Sequence, residues 1–254
     1  MSQHDLAAYR DRLFGLIPEE RIRQVRIERP PAELIERYRR LAGGSPLLAD
    51  VLDRLGVMGV VPASQLQPLL PNATVVGPTL TLRYALERLT PSTLREAGRP
   101  AKLADRDVYA LAEPGDVAVF DAGGLAISCM GGLSCRAALA LGVAGSIVYG
   151  GVRDIPTIRD LGYPVWAHAV TPLTGKYRLE AIELNGVVTL AGIQVVPGDL
   201  IYADATGVIV VPQEMTQHVV VLAEEADRKE QEAERLLGQG DVAAARRALP
   251  PHQW

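Results

Sequence analysis

The stretch CMGGLSCRAALALGVAGSIVYGGVRD, residues 129–154, carries the strongest local signals of fold in this chain. Its pattern predicts a loop, then a helix over residues 133–141, a turn, a strand over residues 146–149, and a second loop. One glycine pair precedes the helix, and a second pair is expected to end the strand. A helix followed by a short apolar strand is typical of an α/β fold, in which helices cover a largely buried sheet.

The two loops of this unit place polar groups where an α/β sheet binds ligands. The amides of Leu133 and Ser134 open the predicted helix, and first-turn amides lack internal partners and attract anions. Arg153 and Asp154 follow the strand, beyond whose carboxyl end ligands collect. In extended backbone these two neighbours point to opposite sides, so we expect that they do not neutralise each other. Asp154 is then able to hold a divalent cation, and Arg153 an anionic substrate oxygen.

The same residues also permit a purely structural interpretation. Two glycines before a helix, here Gly131-Gly132, often form only a turn. Arg153 would then make a surface ion pair, and Asp154 would help to begin a helix over residues 156–161. From spacing alone both interpretations stay open.

Size and composition point to one compact domain. The 254 residues are 48% hydrophobic but only 5% aromatic, so the core is built from Ala, Val, Leu and Ile. We therefore expect an α/β fold, a single compact domain of layered β-sheet with flanking helices and helical extensions at both termini. The net charge of −4 disfavours binding to nucleic acid, which requires clustered Lys and Arg.

Cysteine use and hydropathy indicate the compartment. Cys129 and Cys135 form no CxxC pair and no disulfide framework, so we expect two small apolar fillers in a reducing environment. The polar start, residues 1–12, is unlike a secretory signal. The apolar run 137–152 contains four glycines and is too short and broken for a membrane span. We expect a cytoplasmic protein without membrane contact.

The rest of the chain predicts a regular succession of elements. Two helices are expected before residue 42, the second over residues 32–41, and a third over residues 46–55 ends at Gly56. The charged segment 87–113 is expected to wrap the surface. Pro-Gly-Asp turns at 114–116 and 197–199 lead into strands, which explains both aspartates without a catalytic role. The remaining expected elements are strands at 74–76, 79–82 and 117–120, a β-meander over 187–211, and helices at 214–237 and 242–249.

The segment GVAGSIVYGGVRD at 142–154, with LGYPVWA at 161–167 and Thr171-Pro172, resembles the RraA-like family. Further similar pieces are LADVLDRLG (48–56), VGPTLT (76–81), PGDV (114–117) and GDLIYADATGVIVVP (198–212). That family contains the class II 4-hydroxy-4-methyl-2-oxoglutarate aldolases and a regulator of ribonuclease E, and the similarity spans about residues 46–230. The resemblance implies a fold of the swivelling β/β/α type. It divides the chain into an N-terminal helical extension (1–45), an α/β core (46–212) and C-terminal helices (213–254) that pack on a neighbouring subunit.

The resemblance implies a divalent-metal-dependent lyase, an aldolase or decarboxylase that acts on small 2-oxo acids and releases pyruvate through a metal-stabilised enolate. In such an enzyme Asp154 binds Mg²⁺ or Mn²⁺. Arg153 is then the catalytic residue, and it binds the substrate by stabilising the keto oxygen. The substrate carboxylate lies on the backbone at the helix start, which here is Gly132, Leu133 and Ser134.

The resemblance also implies an assembly. Family aldolases use a glutamate from the C-terminal helix of a neighbouring subunit, and Lys229-Glu230 is similar to the pair that carries it. Glu230 is therefore the second expected metal ligand, and the chain is expected to form a homo-oligomer, a trimer or a hexamer.

One position departs from the family pattern. The aldolases carry an acid 21 residues before the arginine, where this chain has Gly132. The departure keeps two alternatives open. One is a non-catalytic regulator that binds a partner such as ribonuclease E, and the other is a metal-dependent hydro-lyase acting on a sugar acid.

Other polar residues lie close in sequence to this region. His168 follows a strand predicted over residues 164–167 and is able to act as an acid or base, although a lone histidine at a strand end is more often structural. Lys176, Tyr177 and Arg178 are candidates to reach an anionic substrate tail, with a solvated loop as the alternative.

Overall fold

Helices and short, largely buried strands alternate along residue 6 and residues 8–249, the part of the chain that the computed structural model describes. The strands are β1 (Val60–Pro62), β2 (Gln67–Pro68), β3 (Val75–Leu86), β4 (Val117–Asp121), β5 (Ser128–Met130), β6 (Gly145–Val152), β7 (Val165–Val170), β8 (Leu179–Leu184), β9 (Val188–Leu190), β10 (Ile193–Val195), β11 (Leu200–Ala203) and β12 (Gly207–Val211). The α-helices are α1 (Ala32–Arg39), α2 (Gly44–Leu55), α3 (Pro91–Glu96), α4 (Asp105–Ala110), α5 (Gly132–Ala140), α6 (Ile155–Leu161), α7 (Thr216–Gly238) and α8 (Val242–Ala248).

Ten of these strands form one mixed sheet, in the order β1-β12-β11-β3-β4-β6-β7-β2, with β5 beside β6 and β8 beside β3. The ladder β3-β4-β6-β7 is parallel, whereas β11, β12 and β1 continue antiparallel from β3. Every residue of β4 is buried, as expected of a strand covered on both faces. The carboxyl ends of the parallel strands meet at one edge of the sheet, where the loop after β6 carries Arg153.

Three apolar clusters hold the layers together. Alternate residues of β4 face opposite sides of the sheet, and Phe120 packs on Tyr109 of α4 with ring centroids 5.9 Å apart. On the other face, Val119 joins Trp166 and the β9–β10 hairpin. Helices α1, α2 and α7 pack on the antiparallel end around Tyr38. The predicted α/β fold, a layered sheet with flanking helices, is confirmed. No helix among the described residues is both long and apolar enough to cross a bilayer.

Strand β3 is one continuous strand of 12 residues, where the sequence predicted two. The two predicted strands are separated by Gly77 and Pro78, and the structure accommodates this proline within the strand. The amide of Thr79 bonds the carbonyl of Asp199 on the β11 side, so position 78 faces the β4 side. The ladder with β4 starts only at Thr79, and the proline therefore removes no ladder hydrogen bond.

The segment 87–113 does not simply wrap the surface, as predicted. It contains α3 and α4, and α4 is buried through Val108, Tyr109 and Ala110. The prediction was wrong because two of the charged side chains in this segment are buried and form hydrogen bonds inside the fold. Asp107 is fully buried and accepts backbone N–H groups from the N-terminal segment, while Asp105 accepts the hydroxyl of Ser134.

The N-terminal segment also differs from its prediction. The second expected helix is present as α1, but between residues 8 and 31 the only helix in the structure is a 3₁₀ turn at Glu19–Arg21. The start of the first expected helix lies outside the described residues. Residues 14–17 are not helical, since their N–H groups all donate to the carboxylate of Asp107 instead of to carbonyl groups four residues earlier.

The two Pro-Gly-Asp turns have the predicted structural role. Asp116 accepts the N–H of Glu113 at 2.8 Å, and Asp199 accepts the N–H of Val196 at 2.8 Å. Each carboxylate therefore closes the turn that leads into its strand.

The long helix α7 packs against its own chain. Arg37 of α1 forms two hydrogen bonds, of 2.7 and 2.8 Å, with the carboxylate of Glu224. Asp227 accepts the amides of Ala42 and Gly43 just before α2. These contacts join the N-terminal helices to α7, and contact of α7 with a neighbouring subunit stays a prediction.

Candidate active site

Strand β6 brings Arg153 to the edge of the sheet, and its glycine pair lies inside the strand. A Cβ on Gly150 would lie 2.7 Å from Sγ of Cys129, and one on Gly151 would lie 2.7 Å from Cγ2 of Thr171. Only glycine allows the neighbouring segments to approach β6 so closely. The prediction that the strand ends at this pair was wrong, because close packing rather than a turn requires the two glycines.

Asp154 turns the chain sharply after the strand. Its φ is +61°, in the left-handed region, so the backbone is not extended as we expected. Nε of Arg153 consequently lies 3.7 Å from Oδ2 of Asp154, and the expectation that the two side chains avoid each other was wrong. The side chains are 39% and 45% exposed, so this ion pair is weak and leaves both groups accessible to a ligand.

The same two residues lie against the start of α5. Oδ2 of Asp154 accepts the N–H of Gly132 at 3.0 Å. A Cβ on Gly131 would lie 2.6 Å from that oxygen and 3.0 Å from Cγ of Arg153. The absence of a side chain at Gly131 therefore lets Arg153 and Asp154 reach the helix start, 22 positions earlier in the chain.

The first turn of α5 offers amides to the space beside Arg153. Gly132 is one of the expected substrate-binding residues, but its N–H is engaged by Asp154. The N–H of Gly131 donates to Oγ of Ser134 at 3.3 Å. The amides of Leu133 and Ser134 lie too early in the helix for intrahelical partners, and they are the donors left for an anion.

A cavity of about 330 Å³ lies over this helix start. Arg153, Arg106 and Lys176 bring three cations to its wall, against the single carboxylate of Asp105. Such a charge balance favours an anionic ligand. The lining residues are Leu16, Pro100, Ala101, Leu103, Asp105, Arg106, Ser128, Met130, Gly131, Leu133, Ser134, Arg153, Thr174, Lys176 and Tyr177.

Asp105 lines the cavity and was not predicted from the sequence. It is 6% exposed, and its carboxylate accepts the hydroxyl of Ser134, which itself accepts the N–H of Gly131. Burial raises the pKa of Asp105, and the hydrogen bond from Ser134 and the charge of Arg106 offset only part of that effect. No local motif marks it, since its partner lies 29 residues away.

Two of the other polar candidates reach this cavity and two do not. Lys176 and Tyr177 lie in a turn and line it, and Lys176 is also exposed to solvent. Arg178 instead donates to the carbonyl of Thr174 at 3.2 Å. His168 is exposed, its Nδ1 lies 3.0 Å from the carbonyl of Gln65, and it does not line the cavity.

Glu230 lies in a different part of the chain. It lines a separate pocket between α2 and the C-terminal helices, with Leu47 and Lys229. Burial raises its pKa, and the negative charges of Asp227 and Asp50 add to the effect. Glu230 therefore does not join Asp154 within one chain, and a role as metal ligand requires a second copy.

The metal-ligand set of one chain is small. Among residue 6 and residues 8–249, no three His, Cys, Asp or Glu side chains converge at metal-binding distance. Asp154 is the carboxylate next to Arg153, and Oδ1 of Asp154 takes no hydrogen bond from the described residues. One accessible carboxylate suits Mg²⁺ or Mn²⁺, since Mg²⁺ keeps several waters and is commonly bound through one or two carboxylates.

The two cysteines are buried and free, as expected. Burial raises the pKa of Cys129 far above its ordinary value and that of Cys135 to about 12. Both thiols stay protonated near neutral pH, so they pack as apolar groups and supply no nucleophile.

Comparison with known proteins identifies the family of this chain. The family model described as "RraA-like: Aldolase/RraA" matches residues 46–210. A protein of Halalkalibacterium halodurans named "Putative 4-hydroxy-4-methyl-2-oxoglutarate aldolase" is 29% identical over 197 residues, which cover 77% of this chain and 85% of that protein. The protein DlpA of Legionella pneumophila is 27% identical over 173 residues, or 68% of this chain but only 27% of DlpA.

Solved structures give the same assignment. RraAS2 of Streptomyces coelicolor, described as an unusual member of the RNase ES inhibitor RraA protein family, superposes with a TM-score of 0.69 at 30% identity. The match covers 82% of this chain and 98% of that one. An uncharacterised protein of Pseudomonas syringae reaches a TM-score of 0.73 over 86% of this chain and 99% of its own, but at 24% identity it supports only the fold. The chain therefore belongs to the RraA-like family.

Proposed function

We propose that this protein is a divalent-metal-dependent lyase that cleaves small 2-oxo acids and releases pyruvate. One observation carries the proposal: Arg153, Leu133 and Ser134 line the same cationic cavity, and Asp154, which is not part of the cavity lining, lies against Arg153 and the N–H of Gly132. This arrangement matches the two charges of a 2-oxo acid undergoing cleavage, one on its carboxylate and one developing on its keto oxygen.

The helix start and Arg153 bind different groups of the substrate. The substrate carboxylate accepts hydrogen bonds from the amides of Leu133 and Ser134, where the helix dipole favours an anion. Arg153 then lies beside the adjacent keto oxygen and donates hydrogen bonds to it. Asp105 holds Ser134 through its hydroxyl, so the amides are positioned before the substrate arrives.

Cleavage transfers an electron pair toward Arg153. In a 4-hydroxy-2-oxo acid, a base takes the proton of the 4-hydroxyl, the bond between carbons 3 and 4 breaks, and its electrons move through carbon 2 to the keto oxygen. A proton returned to carbon 3 gives pyruvate, and the other half leaves as a carbonyl compound. In oxaloacetate the leaving group is carbon dioxide. Arg153 stabilises the negative charge that forms at the keto oxygen.

Asp154 is the residue that would hold the metal, with water in the remaining positions. A bound dication supplies Lewis-acid polarisation of the keto oxygen. Within the proposal, Glu230 of a second copy completes the ligand set, so the active form is a homo-oligomer, a trimer or a hexamer.

Pyruvate release from oxaloacetate and from 4-hydroxy-2-oxo acids, assayed with Mg²⁺ and with a chelator, tests the proposal. We expect turnover that requires the metal. Asp154→Asn should reduce the rate at least about tenfold, whereas the matched control Asp160→Asn on α6 should not, because Asp160, unlike Asp154, contacts neither Arg153 nor the start of α5 among the described residues. Turnover unaffected by both the chelator and Asp154→Asn would refute the metal role.

A second candidate, a regulator without catalysis, is favoured by position 132. A Cβ there would lie 2.8 Å from Cγ2 of Thr157, so threonine occupies the space beside Gly132 where the family aldolases have an acid. Calorimetry separates the two functions. Heat on mixing the protein with pyruvate and Mg²⁺ supports the lyase. No heat and no turnover, together with inhibition of an RNase E-type ribonuclease, supports the regulator.

A further inference from the structure

The segment 14–17, which we call the N-terminal strap, lies outside the residues matched by the family model but is tightly bound to the core. All four of its amides donate to the buried carboxylate of Asp107. Phe14 and Gly15 donate to Oδ1 at 2.6 and 3.2 Å, and Leu16 and Ile17 donate to Oδ2 at 2.6 and 3.0 Å. Hydrogen bonds to a charged acceptor are stronger than neutral ones, so the strap is a fixed part of the fold.

The strap contributes directly to the cavity that holds Arg153. The side chain of Leu16 is part of the cavity wall. The ring of Phe14 lies 4.5 Å from the guanidinium of Arg106, a second wall residue, and a cation–π contact of this kind restrains the arginine. Asp107, which binds the strap, adjoins Arg106 in sequence. One turn of α4 therefore fixes both the strap and the cation beside it.

We infer that the N-terminal strap is part of the substrate-binding site and that Leu16 limits the size of the group attached to carbon 4 of the 2-oxo acid. The inference rests on the proposed function, because it assigns the rest of the cavity to the part of the substrate beyond the pyruvate unit. Leu16 is partly exposed and packs on the main core, so its side chain separates that core from the cavity space. An apolar wall restricts size through steric contact, and one methylene at such a wall changes discrimination by about 10–200-fold.

Leu16→Ala tests the inference, with Leu13→Ala as its matched control. Leu13 is on the same segment and is likewise partly buried against the core, but it does not line the cavity. The readout is kcat/KM for 4-hydroxy-2-oxo acids whose carbon 4 carries hydrogen, methyl, propyl or phenyl. We expect Leu16→Ala to raise the ratio of bulky to small substrates at least about tenfold, and Leu16→Phe to lower it. Leu13→Ala should leave the ratio unchanged.

Binding is measured separately, so that the strap and the lyase proposal can fail independently. The matched 2-hydroxy acids lack the keto group needed for cleavage, and calorimetry with Mg²⁺ present reports their affinity alone. Size-dependent binding that responds to Leu16 but not to Leu13, without turnover of any 2-oxo acid, refutes the lyase and supports the strap. Equal size dependence in Leu16→Ala, Leu16→Phe and Leu13→Ala overturns the strap assignment whatever the activity. Failure of the wild type to bind any of these acids overturns it as well.

Discussion

The cavity beside Arg153 and the junction of α2 with β11 both contain aspartates, but the two carboxylates differ in the hydrogen bonds that they accept. At the junction, Asp204 accepts four hydrogen bonds, from the amide and hydroxyl of Ser45 and from the amide and hydroxyl of Thr206. In the cavity, the carboxylate of Asp105 accepts one hydrogen bond from outside its own helix, the hydroxyl of Ser134, together with backbone N–H groups at the start of α4. A fully satisfied carboxylate stabilises a fold, whereas polar groups left facing a cavity are available to a ligand.

The pKa values of the two aspartates record this difference. Burial opposes the ionisation of Asp204, but the hydrogen bonds from Thr206 and Ser45 outweigh it and lower the pKa. Burial dominates at Asp105 and raises the pKa. The junction is therefore organised around a stable negative charge. The cavity combines a carboxylate whose pKa is raised with three basic side chains, and this charge balance favours an anionic ligand.

The largest expected effect belongs to the cavity. Arg153→Gln removes the guanidinium from the keto oxygen, and we expect kcat/KM for pyruvate release to fall by about 10²–10³. The melting temperature should change little, since the side chain is 39% exposed and its ion pair with Asp154 is weak.

Arg159→Gln is the matched control for this variant. Arg159 lies on α6, donates to the carbonyl of Leu69 at 3.2 Å and does not line the cavity. Its activity should stay near that of the wild type. Equal activities of the two variants would contradict the role of Arg153, because an arginine in the cavity would then be no more important for turnover than one outside it.

Local features of the molecule could be predicted from the sequence. The fold class, α5, the start of β6 and the approach of Arg153 and Asp154 to Gly131 all depend on residues 129–154, where periodicity and glycine spacing are visible. The backbone turn at Asp154 was not visible, because a left-handed aspartate has no distinct sequence signal before an isoleucine and a proline.

The remaining wall of the cavity could not be predicted, because its residues are distant in sequence. Leu16, Asp105 and Lys176 come from three segments that only the folded chain brings together. The charges around Asp105 suggested an exposed segment. The hydrogen bonds that Asp107 accepts come from four backbone amides about 90 residues earlier, and such distant partners leave no local pattern in the sequence. Hydrogen bonds between segments that are distant in sequence therefore fix the positions of these residues.

The second-largest expected effect is a loss of stability caused by a substitution at the junction. Asp204→Asn replaces one accepting oxygen with a donor, and we expect the free energy of unfolding at neutral pH to fall by about 1–3 kcal/mol while activity below the transition stays unchanged. Because the pKa of Asp204 is lowered in the fold, its contribution is present above the ordinary aspartate pKa of about 3.9 and is lost as the pH falls through the lowered value. Denaturant unfolding at several pH values measures the difference.

Asp53→Asn is the control, since Asp53 is exposed on the same helix that Asp204 helps to begin. It should cost less than about 0.5 kcal/mol. A loss for Asp204→Asn that persists unchanged at acid pH would show that its carboxylate contributes packing rather than charge, and would weaken the contrast with Asp105.

The smallest expected effect is at Asp105, where the pH dependence of stability has the opposite sign to that at Asp204. Its raised pKa means that the native protein keeps the proton to higher pH than the unfolded chain does, so wild-type stability falls as the pH rises from the ordinary aspartate value through the raised one. Asp105→Asn introduces an amide that does not titrate and whose oxygen still accepts the hydroxyl of Ser134. The variant should therefore gain stability relative to wild type across this window, by an amount on the order of 1 kcal/mol. Unfolding curves of both proteins at matched pH values measure that difference. A relative loss with rising pH would mean that the cavity holds an ionised aspartate as the junction does.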